Sequence, residues 1–179
     1  RQRNPQLIVA QLSAFGQGAA RPAFDVVLQA EAGFLFMCGH AGQPPAKMPV
    51  ALIDLLAAHQ LKEGILCALI HRMRTGSGAL VRTSLLEAAI SSLANQATNW
   101  LMGQHIPQRM GTQHPNIAPY ETVSTADGEL FLAIGNDRQF SVGTEFDRTQ
   151  SSLAAGAGVV FSFPVEACLI TGRRYSMTT

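Results

Sequence analysis

A single acid, Asp54, lies inside an otherwise apolar run that opens the longest helix-like pattern of the sequence. Apolar residues recur at near-helical spacing from there on, so we predict a helix over residues 55–74, ended by Gly76. Burying an unpaired carboxylate is costly, so Asp54 must be hydrogen-bonded, cap the helix or be held ready for chemistry. The spacing alone favours the cap, because Asp is a preferred N-cap residue.

Strand and helix signals alternate around this segment. A turn at Asn4-Pro5 precedes residues 6–12, which we predict to be a buried strand, and the strand runs into the glycine-bearing loop 13–18. Ligands of open α/β sheets bind at the carboxyl ends of strands, so this loop is a candidate binding site. Three further elements are predicted: a short helix within 23–36 that Gly33 interrupts, a second long helix over 83–103, and a hairpin joining 122–124 to 129–134.

Composition argues against several classes of function. The 179 residues are 47% hydrophobic and 14% charged, as in chains that bury a core, and the net charge of +1 gives no electrostatic case for nucleic acid. No apolar run approaches the roughly 20 residues of a membrane span. Cys38, Cys67 and Cys168 lack CxxC spacing and the five histidines are scattered. We therefore predict no metal, no nucleic acid or membrane partner, and a reducing, cytoplasmic location.

Three segments of the sequence together carry a family pattern. They are Phe15-Gly16-Gln17-Gly18 with Asp25 and 29–33; Pro44-Pro45 with 53–55, 64–69, 72–78 and 84–88; and 109–111 with 114–120, 127–128 and 133–140. In this order and at these distances they resemble the class III CoA-transferases, the family of formyl-CoA transferase and carnitine CoA-transferase. The resemblance covers roughly residues 4–140.

The resemblance implies an enzyme that transfers CoA between an acyl-CoA thioester and a free carboxylic acid. Asp54 would be the covalent carboxylate, passing through anhydride and aspartyl-CoA intermediates. Its apolar flanks would keep water away, and backbone N–H groups at the helix start would steady its charge. Gly16, Gln17 and Gly18 would lie near the thioester end of CoA, which is a substrate rather than a permanently bound cofactor. With this pattern a nucleophile becomes the favoured role of Asp54, and a cap remains compatible with it.

Phe24 separates two activities within the superfamily. The same superfamily contains the α-methylacyl-CoA racemases, whose pattern has a His immediately before the acid that matches Asp25, and here that position is Phe24. Because a phenyl ring cannot take or give a proton, CoA transfer is favoured over an acyl-CoA racemase or isomerase. A third hypothesis, from another class, is a non-catalytic remnant of the fold without a CoA site.

The fold class that the resemblance implies is α/β. Residues 1–80 would be the C-terminal part of a Rossmann-like large domain that binds CoA and carries Asp54. Residues 81–108 would be a linking helix, 109–140 the start of a smaller α+β domain, and 141–179 a tail without the family pattern. Family members are much longer and form interlocked homodimers. We therefore expect this chain to be a fragment of a longer protein that forms a homodimer. We also expect the isolated chain to expose sheet edges and apolar helix faces.

Overall fold

The computed structural model describes residues 3–19, 21–125, 128–140 and 170–171. They form two compact units that divide between Arg109 and Met110; the first combines helices with a parallel sheet, and the second contains an antiparallel sheet. The assignment of residues 1–80, 81–108, 109–140 and 141–179 to a Rossmann-like domain, a linking helix, a small domain and a tail stays a prediction.

The sheet of the first unit consists of two parallel strands, β1 (Val9–Ser13) and β2 (Leu80–Ser84), with Val9 opposite Leu80. Their carboxyl ends therefore lie at the same edge. β1 lies where the sequence predicts a strand, but the prediction that it is buried is wrong. Val9 is 37% exposed and Leu12 is 47% exposed. The physical reason is that β1 has only β2 as a hydrogen-bonded neighbour among the described strands.

Gly33 separates two short helices, as the sequence predicts. These are α1 (Asp25–Glu31) and α2 (Phe34–Met37). Gly33 is the N-cap of α2 and has a φ of 88°, a left-handed conformation that glycine adopts without steric cost.

The long helix, α3 (Leu52–Thr75), packs on one face of the sheet. Gly64 permits the close approach, because a Cβ built there would lie 2.5 Å from Cγ1 of Val81. Gly76 ends the helix with a φ of 70°. The helix begins earlier than predicted, at Leu52 rather than residue 55. Asp54 consequently lies inside the first turn, and the interpretation of Asp54 as the N-cap is wrong, because Ala51 occupies that position.

The second long helix predicted over 83–103 is also wrong in its bounds. Residues 83 and 84 belong to β2, and two helices follow: α4 (Leu85–Ser91) and α5 (Asn95–Gly103). Ser84 starts α4, since its Oγ accepts a hydrogen bond from Glu87 N at 3.1 Å and donates one to Glu87 Oε2 at 2.8 Å. The helices are separated at residues 92–94, where Ala94 has a φ of 50°.

The core of the first unit joins three helices through Leu28 of α1, Ile53 of α3 and Ala89 of α4, each 0% exposed. Phe15, from the loop after β1, packs against this cluster. The first turn of α3 and the loop after β1 therefore share one core, because Ile53 belongs to this cluster and Phe15 packs against it.

The second unit contains the predicted hairpin, which is confirmed. β3 (Tyr120–Thr125) pairs antiparallel with β4 (Gly128–Ala133), and β5 (Ile170–Thr171) pairs antiparallel with β4. The turn at 126–127 and most of the tail, 141–169 and 172–179, lie outside the described residues. None of the described helices combines the length and apolarity that crossing a bilayer requires.

Large apolar side chains are exposed along α3 and at the end of α5. The most exposed are Met73 at 85% and Met102 at 83%, and others are Leu55, Leu66, Ile70 and Leu101. Exposed apolar side chains in this number favour association in water. We expect the isolated chain to self-associate, so that sedimentation velocity shows species heavier than the 19.1 kDa monomer. A monodisperse monomer with cooperative thermal unfolding would contradict this expectation.

Candidate active site

The first turn of α3 is held by a carboxylate from a different helix. Asp25 Oδ2 accepts hydrogen bonds from Ile53 N at 2.7 Å and from Asp54 N at 3.2 Å. N–H groups in the first turn of a helix have no carbonyl partner within that helix, so a carboxylate there satisfies them and matches the helix dipole. Asp25 therefore performs the capping that the spacing of the sequence favours for Asp54.

Gln29 fixes the orientation of Asp25. Its side chain is 1% exposed. Its Nε2 donates to Asp25 Oδ1, and its Oε1 accepts from Met48 N at 2.9 Å. A connected polar network thus runs from the loop at Met48, through Gln29 and Asp25, to the start of α3. Buried polar networks whose members are all satisfied are rigid, because breaking one bond leaves desolvated groups unpaired.

Asp54 itself is exposed, and so is Leu55 beside it. The predicted shielding of Asp54 by its apolar flanks is therefore wrong for the described residues, because Ile53 turns into the core while Asp54 points away from it. The expectation that first-turn N–H groups steady the Asp54 charge also needs correction. The N–H groups of Ile53 and Asp54 serve Asp25 instead.

The predicted CoA-binding residues Gly16, Gln17 and Gly18 line a pocket of about 460 Å³ at the carboxyl edge of the sheet. Gly16 and Gly18 have φ values of 93° and 82°, which favour glycine. Ser13, the last residue of β1, orders the loop by accepting a hydrogen bond from Gly16 N on its Oγ at 3.2 Å. The remaining lining residues are Gln11, Ser13, Ala19, Arg82, Thr83 and Glu87.

The sequence interpretation missed Arg82, the one cation that lines this pocket. Arg82 Nε donates to Gln11 Oε1 across the strand pair at 3.2 Å. With the Gln17 amide turned so that Oε1 faces the guanidinium, this oxygen accepts from Nη1 at 3.0 Å and Nη2 at 3.2 Å. The available signal was the β-branched alternation within residues 80–84, which indicates a strand and which the predicted helix over 83–103 obscured.

The described residues contain no group of three His, Cys, Asp or Glu side chains placed to hold a metal ion. Cys38 and Cys67 are free thiols. The first turn of α3 thus carries two carboxylates, Asp25 as its cap and Asp54 exposed beside it, and a polar pocket lies on the same unit.

The chain is similar to known proteins of one family. Residues 1–153 match CoA-transferase family III. The succinate–glutarate CoA-transferase of Agrobacterium fabrum is 41% identical over 140 residues, which are 76% of this chain and 35% of that protein. The acetyl-CoA:oxalate CoA-transferase of Acetobacter aceti is 33% identical over 141 residues, 76% of this chain and 36% of that protein.

A solved structure shows the same arrangement of helices and strands. A CAIB/BAIF family protein from Brucella suis is similar with a TM-score of 0.66 and 37% identity, covering 82% of this chain and 40% of that one. The chain spans about a third of the length of the curated relatives described above, 35% and 36%. Because the family match covers most of its residues, the chain belongs to CoA-transferase family III.

Proposed function

We propose that this chain supplies the nucleophile and part of the substrate pocket of an enzyme that moves CoA between an acyl-CoA thioester and a free carboxylic acid. The observation that carries the proposal is the exposed Asp54 carboxylate in the first turn of α3, with Asp25 occupying the cap beside it. The family membership and the CoA-transferases among the relatives support the reaction class.

In the proposed mechanism the Asp54 carboxylate attacks the thioester carbonyl, the C–S bond breaks, and CoA leaves as a thiolate. The product is a mixed anhydride between Asp54 and the acyl group. The thiolate then attacks the Asp54 carbonyl of the anhydride, which releases the first acid and leaves an aspartyl-CoA thioester. An acceptor carboxylate reverses both steps and regenerates Asp54. The sequence of steps uses a CoA thioester as substrate and needs no permanently bound cofactor.

Asp25 contributes by positioning rather than by reacting. Asp25 accepts hydrogen bonds from the N–H groups of Ile53 and Asp54 and so fixes the orientation of the first turn of α3. This orientation determines the direction in which the Asp54 side chain projects. Asp25 also takes up the hydrogen-bonding capacity of the helix start. Those donors therefore do not lower the nucleophilicity of the Asp54 carboxylate toward a carbonyl carbon.

The names of the relatives point to the class of acid. Succinate, glutarate and oxalate are all dicarboxylic acids. We propose that the acceptor for this chain is a dicarboxylic acid as well. One carboxylate of such an acid forms the thioester, and the other stays free and negatively charged at neutral pH.

The proposal extends to the assembly of the enzyme. A Rossmann-like large domain, a cytoplasmic location and an interlocked homodimer would follow from the family resemblance. The exposed apolar residues of α3 and α5 support the homodimer, since a partner subunit would remove them from water. The free thiols Cys38 and Cys67 are compatible with a reducing compartment.

The reaction is tested by incubating the chain with succinyl-CoA and glutarate, trapping with hydroxylamine and mapping the modified residue by mass spectrometry. We expect a hydroxamate at Asp54, because both the anhydride and the thioester acylate hydroxylamine. Isothermal titration with CoA runs in parallel. A chain that binds no CoA and forms no hydroxamate would be a non-catalytic remnant and would overturn the proposal.

A further inference from the structure

The guanidinium of Arg82 has only neutral partners among the described residues. Its hydrogen-bond acceptors are the amide oxygens of Gln11 and Gln17. Amide oxygens orient a guanidinium but leave its positive charge uncompensated. An arginine that lines a pocket in this state is suited to a planar oxyanion, which guanidinium binds through parallel N–H groups.

The acidic residue that lines the same pocket, Glu87, is hydrogen-bonded to a serine. Glu87 Oε2 accepts from Ser84 Oγ at 2.8 Å, and Ser84 is 1% exposed. The described part of the chain shows no ion pair between Arg82 and Glu87; the ion pair in it joins Arg21 to Glu31. The guanidinium of Arg82 is thus not ion-paired with the neighbouring carboxylate, which is hydrogen-bonded to Ser84, and it can pair with an anionic ligand.

The location fits a ligand site rather than a surface charge. Arg82 and Gln11 are opposite each other in the parallel register, near the carboxyl ends of both strands. The glycine loop, with Gln17 at its centre, lines the same pocket. Ligands of parallel sheets gather at this edge, where glycine backbone allows close approach.

We propose that Arg82, held by Gln11 and Gln17, binds an oxyanion of the substrate in this pocket. The inference rests on the proposed function for the source of the anion. Two sources share the same chemistry: the free carboxylate of a dicarboxylic acid, and a phosphate of CoA, the second of which would put the phosphates rather than the thioester end of CoA at the glycine loop. Arg82 is then a specificity-determining residue in the first case and a CoA-anchoring residue in the second.

Isothermal titration of the 179-residue chain with glutarate, valerate and CoA distinguishes these sources. Valerate has the chain length of glutarate with one carboxylate fewer. In the carboxylate case the chain binds glutarate more tightly than valerate, and Arg82→Gln weakens glutarate binding about tenfold or more while valerate is unchanged. In the phosphate case the same variant weakens CoA binding to a similar extent and leaves the binding of glutarate and of valerate unchanged.

Arg74→Gln is the matched control, because it removes one charge from the last turn of α3 at the far end of the unit. Gln17→Leu is the second variant. We expect it to weaken binding of the same probe as Arg82→Gln does, because it removes the amide oxygen that orients the guanidinium. Circular dichroism verifies that each variant retains its helices; if Arg82→Gln does not, Arg82→Lys, which keeps the charge without the planar fork, replaces it.

The inference is overturned if the chain binds none of the probes, if Arg82 variants bind all of them as the parent does, or if Arg74→Gln gives an equal loss. Its failure is distinguishable from that of the proposed function. Hydroxamate formation at Asp54 with Arg82-independent binding defeats only the inference. Arg82-dependent binding without any hydroxamate defeats only the proposed reaction.

Discussion

Replacing Asp54 by asparagine is expected to abolish CoA exchange between succinyl-CoA and glutarate, with a loss on the order of 10⁴-fold or more, as for other enzymes that lose their covalent nucleophile. An amide oxygen is a poor nucleophile toward a thioester and cannot form the anhydride. The substitution changes few contacts, because Asp54 is exposed and its backbone N–H, which donates to Asp25, remains in place. Isotope exchange between labelled glutarate and glutaryl-CoA measures the rate.

Glu63→Gln serves as the control, since Glu63 is an exposed acid on the same helix, away from its first turn. We expect it to exchange CoA at the parental rate. An Asp54→Asn protein that still exchanges CoA at more than a trace would refute the role of Asp54. The hydroxamate would then be sought at another carboxylate of the chain.

Replacing Asp25 by alanine is expected to lower the free energy of unfolding by about 2–4 kcal/mol, the combined cost of a lost helix cap and of unpaired buried donors. The N–H groups of Ile53 and Asp54 lose their acceptor, and the Gln29 amide loses a partner although it is 1% exposed. Hydrogen exchange at the Ile53 and Asp54 amides reports the change locally. We expect these amides to lose protection before those in the middle of α3.

Two further variants distinguish the loss of the cap from the loss of any acid on α1. Asp25→Asn keeps an acceptor for Ile53 N and is expected to retain part of the protection. Glu31→Ala removes an exposed acid of the same helix, whose ion pair with Arg21 is expected to contribute at most about 1 kcal/mol. Asp25→Ala should also lower kcat more than it raises KM, because a misdirected Asp54 impairs the attack rather than binding. Equal effects of Asp25→Ala and Glu31→Ala would rule out the capping role.

Several elements could be predicted from the sequence because their signals are local. The hairpin of β3 and β4, the break at Gly33 and the glycine stop at Gly76 each depend on neighbours within a few residues. The bounds of α3 and the helix predicted over 83–103 could not be predicted. Residues 83 and 84 become a strand because they pair with β1, which lies about 70 positions earlier, as the separation of 71 between Arg82 and Gln11 shows.

The sequence by itself determined the family and singled out Asp54, because both depend on the order and spacing of residues along the chain. Only the tertiary structure decided which carboxylate caps α3. Asp25 lies 28 positions before Ile53, and no local pattern connects them. The same holds for the meeting of Arg82 and Gln17 in one pocket. Hydrogen bonds between distant segments form only when the packing of Leu28, Ile53 and Ala89 has brought their elements together.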